Sequence, residues 1–564
     1  MSSALPTPTS LHADLSCHAC RKLKRKCSKE LPSCSLCSRV GRTCDYSTPS
    51  PDSPGRQSRP GTAQLQAAGL PDWSSTASRS SSARSPKFNA AWYIDSVSAR
   101  GMEFDPTCEL SWCDIPGIKT AAFTLQESQE IATRFFRTTH TWFPVVSAMR
   151  ISRLLDRQSR SRLVEEADMT ALLTAMTLLS NGPAALSYSA GEELYYSSLK
   201  VALAACESAG ALTTTFLGAQ VLLALYEAMH AIYPSAYFTV GHCSRTCLTL
   251  GLHDRRFATQ LPSKVDTWTE VEERRRLWWA TLLLDRVVNI RFSFRPLAVA
   301  SIPPTEIIPA DDTAWDQGEL VINPLLVMSI EADTKVSGFA RTCQAAHLLG
   351  RVYQHINEHT NPTDVEFHFQ EAHRIHRAVG ALLKIIRQQC DDFGADEGRY
   401  KLFTPLALCC SALLVLYDVH SCIEVDDTIT GTGSDKGLRM EMQQVAIDGF
   451  NLVSLVVLDL AEEVWMAAEA KGLDAVSPFV LHALYESAGT WAWYARENGD
   501  EAHLAKLARL REVIAAVGQR WRIGGECDLC NLAATERMLT KAGIGDYLEL
   551  LKDTEFHFRG GCTQ

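Results

Sequence analysis

The chain has 564 residues, is 46% hydrophobic and 21% charged, and carries a formal net charge of -10. That balance excludes a disordered polyelectrolyte and a protein that coats nucleic acid with its whole surface. At roughly 100 to 200 residues per domain, three or four domain-sized units are expected. The charge is unevenly placed. Between Cys17 and Cys44 eight Lys or Arg stand against the single acid Glu30, a local charge of +7, which leaves -17 for the remainder. A compact basic module joined to a large acidic body points to a polyanion reader at one end.

Residues 1–14 have neither a cationic start nor an apolar run. They are expected to be disordered and not a signal peptide, so the thiols should stay reduced and favour metal over disulfides. Of nineteen cysteines, six fall within the 28 residues from Cys17 to Cys44 and follow C-x2-C-x6-C-x6-C-x2-C-x6-C: Cys17, Cys20, Cys27, Cys34, Cys37 and Cys44. Zinc takes four tetrahedral ligands, and a C-x2-C pair entering a helix aims two sulfurs at one ion. Two ions need eight bonds, which six thiolates supply if two of them bridge. A module of this kind folds only with its metal. His18, inside the first C-x2-C, is read as a spacer, because six sulfurs already saturate two ions. The module is assigned to 15–46, and a zinc knot that only stabilises a protein interface is the competing reading.

From Ser47 to Pro86 more than half of the residues are Ser, Thr, Pro or Gly, a composition that buries too little apolar surface to offset its ordering entropy. A flexible linker is expected over 47–118. No heptad pattern occurs between Ser47 and Thr120, so binding as a monomer or as a homodimer formed through the large domain is as acceptable as a coiled coil. From about Thr120 the pattern turns helical. Val221, Leu222, Leu225, Met229 and Ile232 recur at helical spacing behind Thr213 to Thr215, with Pro234 as a stop, and Leu504 to Val517 repeats the theme before Gly518. The apolar run Leu402 to Tyr417, interrupted by Pro405, is short of the roughly 20 residues a bilayer needs and reads as a buried core helix. No membrane partner is expected. The fold class is therefore mostly α: a small N-terminal two-zinc module with two short helices, a flexible linker and a large all-α domain over 119–390, continued over 391–540, with an acidic-apolar tail at 541–564.

The spacing of the cysteines, together with the basic stretch CRKLKRKCSKELPSC, resembles the fungal binuclear zinc cluster family. The resemblance implies two Zn2+ ions, with Cys17 and Cys34 bridging, Cys20 and Cys27 completing one site and Cys37 and Cys44 the other. It also implies a partner, double-stranded DNA with CGG-like sites, read in the major groove by the helix that carries Arg21, Lys22, Lys24, Arg25 and Lys26. By position Lys24 matches the main base-reading lysine, while Arg21, Lys26 and Lys29 match positions that touch phosphate. The residue before Lys24, basic in many members, is Leu23 here.

A second resemblance, to the middle homology region of the same fungal regulators, rests on AYFTVGHCSRTCLTLGLHD (Ala236 to Asp254), EERRRLWWATLLLDR (Glu272 to Arg286), Arg295-Pro296 and Pro309. It covers about Thr120 to Pro309. Tyr237 stands where Trp is common, Cys243 and Cys247 where Ala is common, and Phe294 where Gly usually precedes the Arg-Pro. The domain it implies is either a sensor of a small-molecule effector or a scaffold without a ligand.

The other motifs are read structurally. His253-Asp254 lacks a second His/Asp cluster, Cys527 and Cys530 form a C-x-x-C without a βαβ context, and Arg274 to Arg276 sit among Glu272, Glu273 and Asp285 as a salt-bridged helix. DYLELLKDTEF, near the C-terminus, alternates acids with apolar residues. It suits a segment that folds onto a coactivator, with a last domain helix as the favoured alternative. No Gly-rich phosphate loop or G-x-S-x-G elbow is present, so no catalysis is expected. The sum of these expectations is a nuclear, sequence-specific regulator of RNA polymerase II genes, an activator of a secondary-metabolite or nutrient-use cluster. A repressor of the same build and a zinc-stabilised scaffold are the rivals.

Overall fold

The computed structural model describes residues 12–13, 15–22, 26–41, 43–46, 108–157, 163–181, 190–252, 267–290, 295–300, 302–303, 306–326, 336–358, 365–393, 397–421 and 433–526. Two compact units are separated within the chain, 1–82 and 83–564. The first holds two short helices, α1 (His18–Lys22) and α2 (Ser35–Val40). Among the described residues there is no strand, only isolated bridges such as His12 with Glu30.

In the second unit α3 (Leu125–Arg137) starts on a capping box: the Thr124 hydroxyl accepts from the Glu127 amide at 3.2 Å, and the Glu127 carboxylate accepts from the Thr124 amide at 2.8 Å. The chain continues through α4 (Ala148–Arg157), α5 (Ala167–Ser180), α6 (Ala190–Ser208) and α7 (Thr214–Met229). Every residue of α5, and all of α7 after Thr214, is buried, and the two helices pack on each other. An apolar surface on all sides leaves a helix nowhere but the interior. Thr213 caps α7 through the Phe216 amide at 2.9 Å. The helix ends at Met229, so Ile232 belongs to the following turn and not to the helix.

Next come α8 (Ser235–Thr249) and α9 (Trp268–Val288), the two segments of the second resemblance. Gly251, at φ 67°, closes α8: its amide donates to the Leu248 carbonyl, and that of Leu252 to the Cys247 carbonyl, each at 3.0 Å. Only a residue tolerant of the left-handed region makes this stop without strain. Cys243 and Cys247 are fully buried, and the Cys247 sulfur meets Thr281 Oγ1 of α9 at 3.5 Å. Small side chains here let the two helices approach. Tyr237 lies under the Arg295 guanidinium, 5.4 Å from its ring centre, which links the first segment to the Arg-Pro motif. Phe294 and His253-Asp254 lie outside the described residues.

The remaining helices are α10 (Asp312–Gln317), α11 (Gly338–Glu358), α12 (Val365–Phe393), α13 (Phe403–Ser421), α14 (Gly433–Lys471), α15 (Leu481–Asn498) and α16 (Glu501–Gly518). Helix α13 is the hub, packed on α11, α12, α14 and α15. With the 3-10 turn before it, the helical run 398–421 is 24 residues long, enough by length to cross a membrane, yet 83% of its apolar window lies inside the protein. It is a core helix, as the sequence indicates, although Pro405 does not shorten it: proline in the first turn has no helical hydrogen bond to lose. The run 437–471 also meets the length and composition of a span, with 39% of its window buried.

Helix α9 carries the charged core. Arg276, fully buried, donates to Glu272 Oε1 at 3.1 Å, Asp312 Oδ1 at 2.8 Å and the carbonyls of Pro144 and Ala310, and stacks 4.1 Å over the Trp315 ring. Glu273 holds Arg150 of α4, Arg275 pairs with Glu272, and Arg274 donates to Thr214. Asp285 receives the Ala298 and Val299 amides and pairs with Arg286. The Arg274 to Arg276 run is thus consumed in internal ion pairs and hydrogen bonds. At Gly350 a Cβ would meet Arg286 Nε at 2.7 Å, so glycine lets α11 settle on this network.

Candidate metal centre

The cysteine module is built by two copies of one local motif. In each C-x2-C the amide of the second cysteine points at the sulfur of the first: Cys20 N lies 3.5 Å from Cys17 Sγ, and Cys37 N 3.4 Å from Cys34 Sγ. The short helices follow from this turn, Cys34 being the N-cap of α2 and Gly41, at φ 63°, its stop. A third amide, of Cys34, donates to Cys44 Sγ at 3.3 Å. Amide donors favour the thiolate form, the form that binds metal.

These turns bring the six sulfurs together. Cys17, Cys20, Cys27 and Cys34 form one quartet and Cys17, Cys34, Cys37 and Cys44 another, each with all sulfurs within 4.8 Å of one another. Cys17 and Cys34 belong to both. The sulfur pairs Cys17–Cys34, Cys17–Cys37 and Cys20–Cys34 are 3.8, 3.7 and 3.7 Å apart. Tetrahedral bonds of about 2.3 Å to one zinc place neighbouring sulfurs about 3.75 Å apart, so the donor set fits the metal. No S–S bond is formed. Crowding sets the protonation of the free thiols: Cys37 is pushed up to about 12, chiefly by its contact with Cys34 and by burial. For Cys27 burial works upward, but backbone hydrogen bonds bring it down to about 6, and Cys44 comes down likewise to about 7. Six sulfurs this close cannot all ionise without cations between them.

The periphery closes the module. Tyr46 donates to the Glu30 carbonyl at 2.9 Å and lies 3.9 Å from Cys27 Sγ, His18 N donates to the Asp45 carbonyl at 2.7 Å, and Ser35 N to Ser28 Oγ at 2.8 Å. His18 itself is exposed and belongs to neither quartet. Of the basic residues singled out in the sequence, Lys26 is exposed and lies past the end of α1 at Lys22, not on the helix expected to carry it, and Lys29, at φ 63°, is half-buried. Arg21 and Lys22 lie in α1 with side chains outside the described set, and Lys24 and Arg25 lie outside the described residues, as do Cys527, Cys530 and the C-terminal tail. Sequence reasoning passed over another cluster, the buried histidines His355, His368 and His420. They are far apart in the sequence and share no motif.

Two family models match the chain, the fungal Zn(2)-Cys(6) binuclear cluster domain over 15–53 and the fungal specific transcription factor domain over 132–346. The second match runs past Pro309, where the motifs legible in the sequence end. Among curated proteins, the chain is 40% identical over 152 residues to "Transcription factor BOA15" of Botryotinia fuckeliana, covering 27% of this chain and 82% of that protein. It is 26% identical over 150 residues to "Citrinin biosynthesis transcriptional activator mrl3" of Monascus ruber, covering 26% of this chain and 29% of that protein. It is 25% identical over 363 residues to "Pigment biosynthesis transcriptional activator pigB" of Monascus ruber, covering 60% of this chain and 63% of that protein.

Proposed function

Because this chain belongs to the fungal Zn(2)-Cys(6) binuclear cluster transcription factors, we propose that it is a nuclear, sequence-specific DNA-binding activator of a biosynthetic gene cluster. The observation that carries the reading is the pair of sulfur quartets sharing Cys17 and Cys34. Two zinc ions are held there, one by Cys17, Cys20, Cys27 and Cys34, the other by Cys17, Cys34, Cys37 and Cys44. The metal supplies charge and rigidity and no chemistry of its own.

Charge decides what such a module meets. Six thiolates against two dications leave the cluster at -2, and the surrounding +7 of the Cys17 to Cys44 window then leaves a net +5, attractive to phosphate and sensitive to salt. Arg21, Lys26 and Lys29 are assigned to the backbone, which positions the module without reading it, and Lys22 and Arg25 add to the positive charge that meets the DNA. Lys24 is assigned to a guanine O6/N7 edge of a CGG-like triplet. On this reading 15–46 is the DNA-binding module, 47–107 joins it to the regulatory body, and 541–564 is the tail; the body runs to 540 and begins before 119, because Trp112 and Ile115, expected in the linker, are buried in its core. Activation of a biosynthetic pathway is carried over from the names of mrl3 and pigB.

The test is binding of the full chain to CGG-containing and scrambled duplexes across a salt series. Preference for CGG that survives physiological salt supports the reading, and equal affinity for both duplexes rejects it in favour of a zinc-stabilised scaffold. Expression profiling of a deletion strain separates activator from repressor: target transcripts fall in the first case and rise in the second.

A further inference from the structure

We propose that His355, His368 and His420 form a second metal site, inside the helical body, for a borderline divalent cation of the zinc class. The three residues come from separate helices whose ends converge. His355 lies in the last turn of α11, His420 in the last turn of α13 and His368 in the first turn of α12. All three are buried, at 3%, 5% and 6% exposure, and one ring nitrogen from each lies within 4.8 Å of the others.

The geometry favours a shared cation. His355 Nε2 faces His420 Nε2 at 3.0 Å, close to the roughly 3.3 Å that two imidazoles on one tetrahedral zinc require with bonds of about 2.0 to 2.1 Å. The His368 ring stacks on that of His355 at 4.2 Å between centroids and 14° between planes, so its in-plane lone pair reaches the same ion once the ring turns out of the stack, and Phe369 meets the His420 ring edge-on at 5.8 Å. Imidazole nitrogen is a ligand that suits zinc, copper or nickel. The C-terminal turns of α11 and α13 add carbonyl dipoles that favour positive charge between them. Three protein ligands leave a fourth position for water or a small anion. Such an ion would tie α11, α12 and α13 together, and α13 is the hub of the body.

The test is independent of the cysteine module's role. The full chain is equilibrated with excess zinc and gel-filtered, and its metal is counted by mass spectrometry beside the His355→Gln and His420→Gln chains, with circular dichroism reporting on folding. The native chain should carry one zinc more than either variant, and equal zinc contents overturn the proposal. A second readout needs no variant. Zinc absorption-edge spectroscopy of the native chain should show nitrogen ligands beside sulfur, and a shell of sulfur alone overturns the proposal.

Discussion

Arg276 and Asp312 are joined by a 2.8 Å ion pair in the interior of the helical body, with Arg276 wholly shielded from water. The pair ties α9 to α10, and through the Phe339 amide, which donates to Asp312 at 3.2 Å, to the start of α11 as well. Breaking a buried pair from one side strands the other charge and costs about 3 to 5 kcal/mol. Arg276→Ala should therefore lower the stability of the full chain by that amount in denaturant titrations. A loss below about 1 kcal/mol would show that water reaches the site.

A pH effect follows from His230. Burial, reinforced by Arg520 and Arg522, lowers its pKa from 6.5 to about 3. The folded chain thus keeps it neutral where the unfolded chain binds a proton, so its contribution is full above pH 6.5 and is lost as pH falls toward 3. Between pH 7.5 and 5 the native protein should lose about 2 kcal/mol through this residue. Urea titrations at the two pH values should show a smaller loss for His230→Phe, and an unchanged loss would contradict the assignment.

In the cysteine module, position decides how much metal a substitution removes. Cys34 belongs to both quartets and Cys44 to one. Cys34→Ser should release both ions and unfold the module, whereas Cys44→Ser should impair one site, as counted by zinc per chain. Equal losses from the two variants would argue against bridging.

Base reading and phosphate contact separate by salt dependence. Lys24→Ala should cost about 1 to 3 kcal/mol and relax preference at one base position, while Lys26→Ala should weaken all duplexes alike and reduce the salt slope by about one. A binding-site selection that returns the native motif for Lys24→Ala contradicts the role given to that lysine.

Much of this was legible before any coordinates. Six cysteines at fixed spacing specify a cluster because each C-x2-C turn carries its own geometry, and apolar periodicity marks α16 because a helix with one buried face follows a 3.6-residue repeat, while α7 is marked by being apolar nearly throughout. What escaped was long-range. Nothing in the sequence around Arg276 points to Asp312, and His355, His368 and His420 meet only because three helix ends converge. The end of α7 at Met229, short of Ile232, shows the same limit: spacing reports burial, and a residue in the following turn can be buried as well as one in the helix.

On the proposed reading, shared sulfurs hold two zinc ions and so present the basic residues between Cys20 and Cys34 to DNA. The most direct test removes the metal from the full chain with a chelator and measures affinity for a CGG-containing duplex at physiological salt, before and after zinc is restored. Preference for CGG over a scrambled duplex should disappear with the zinc and return with it. Preference that persists in zinc-free protein would contradict it.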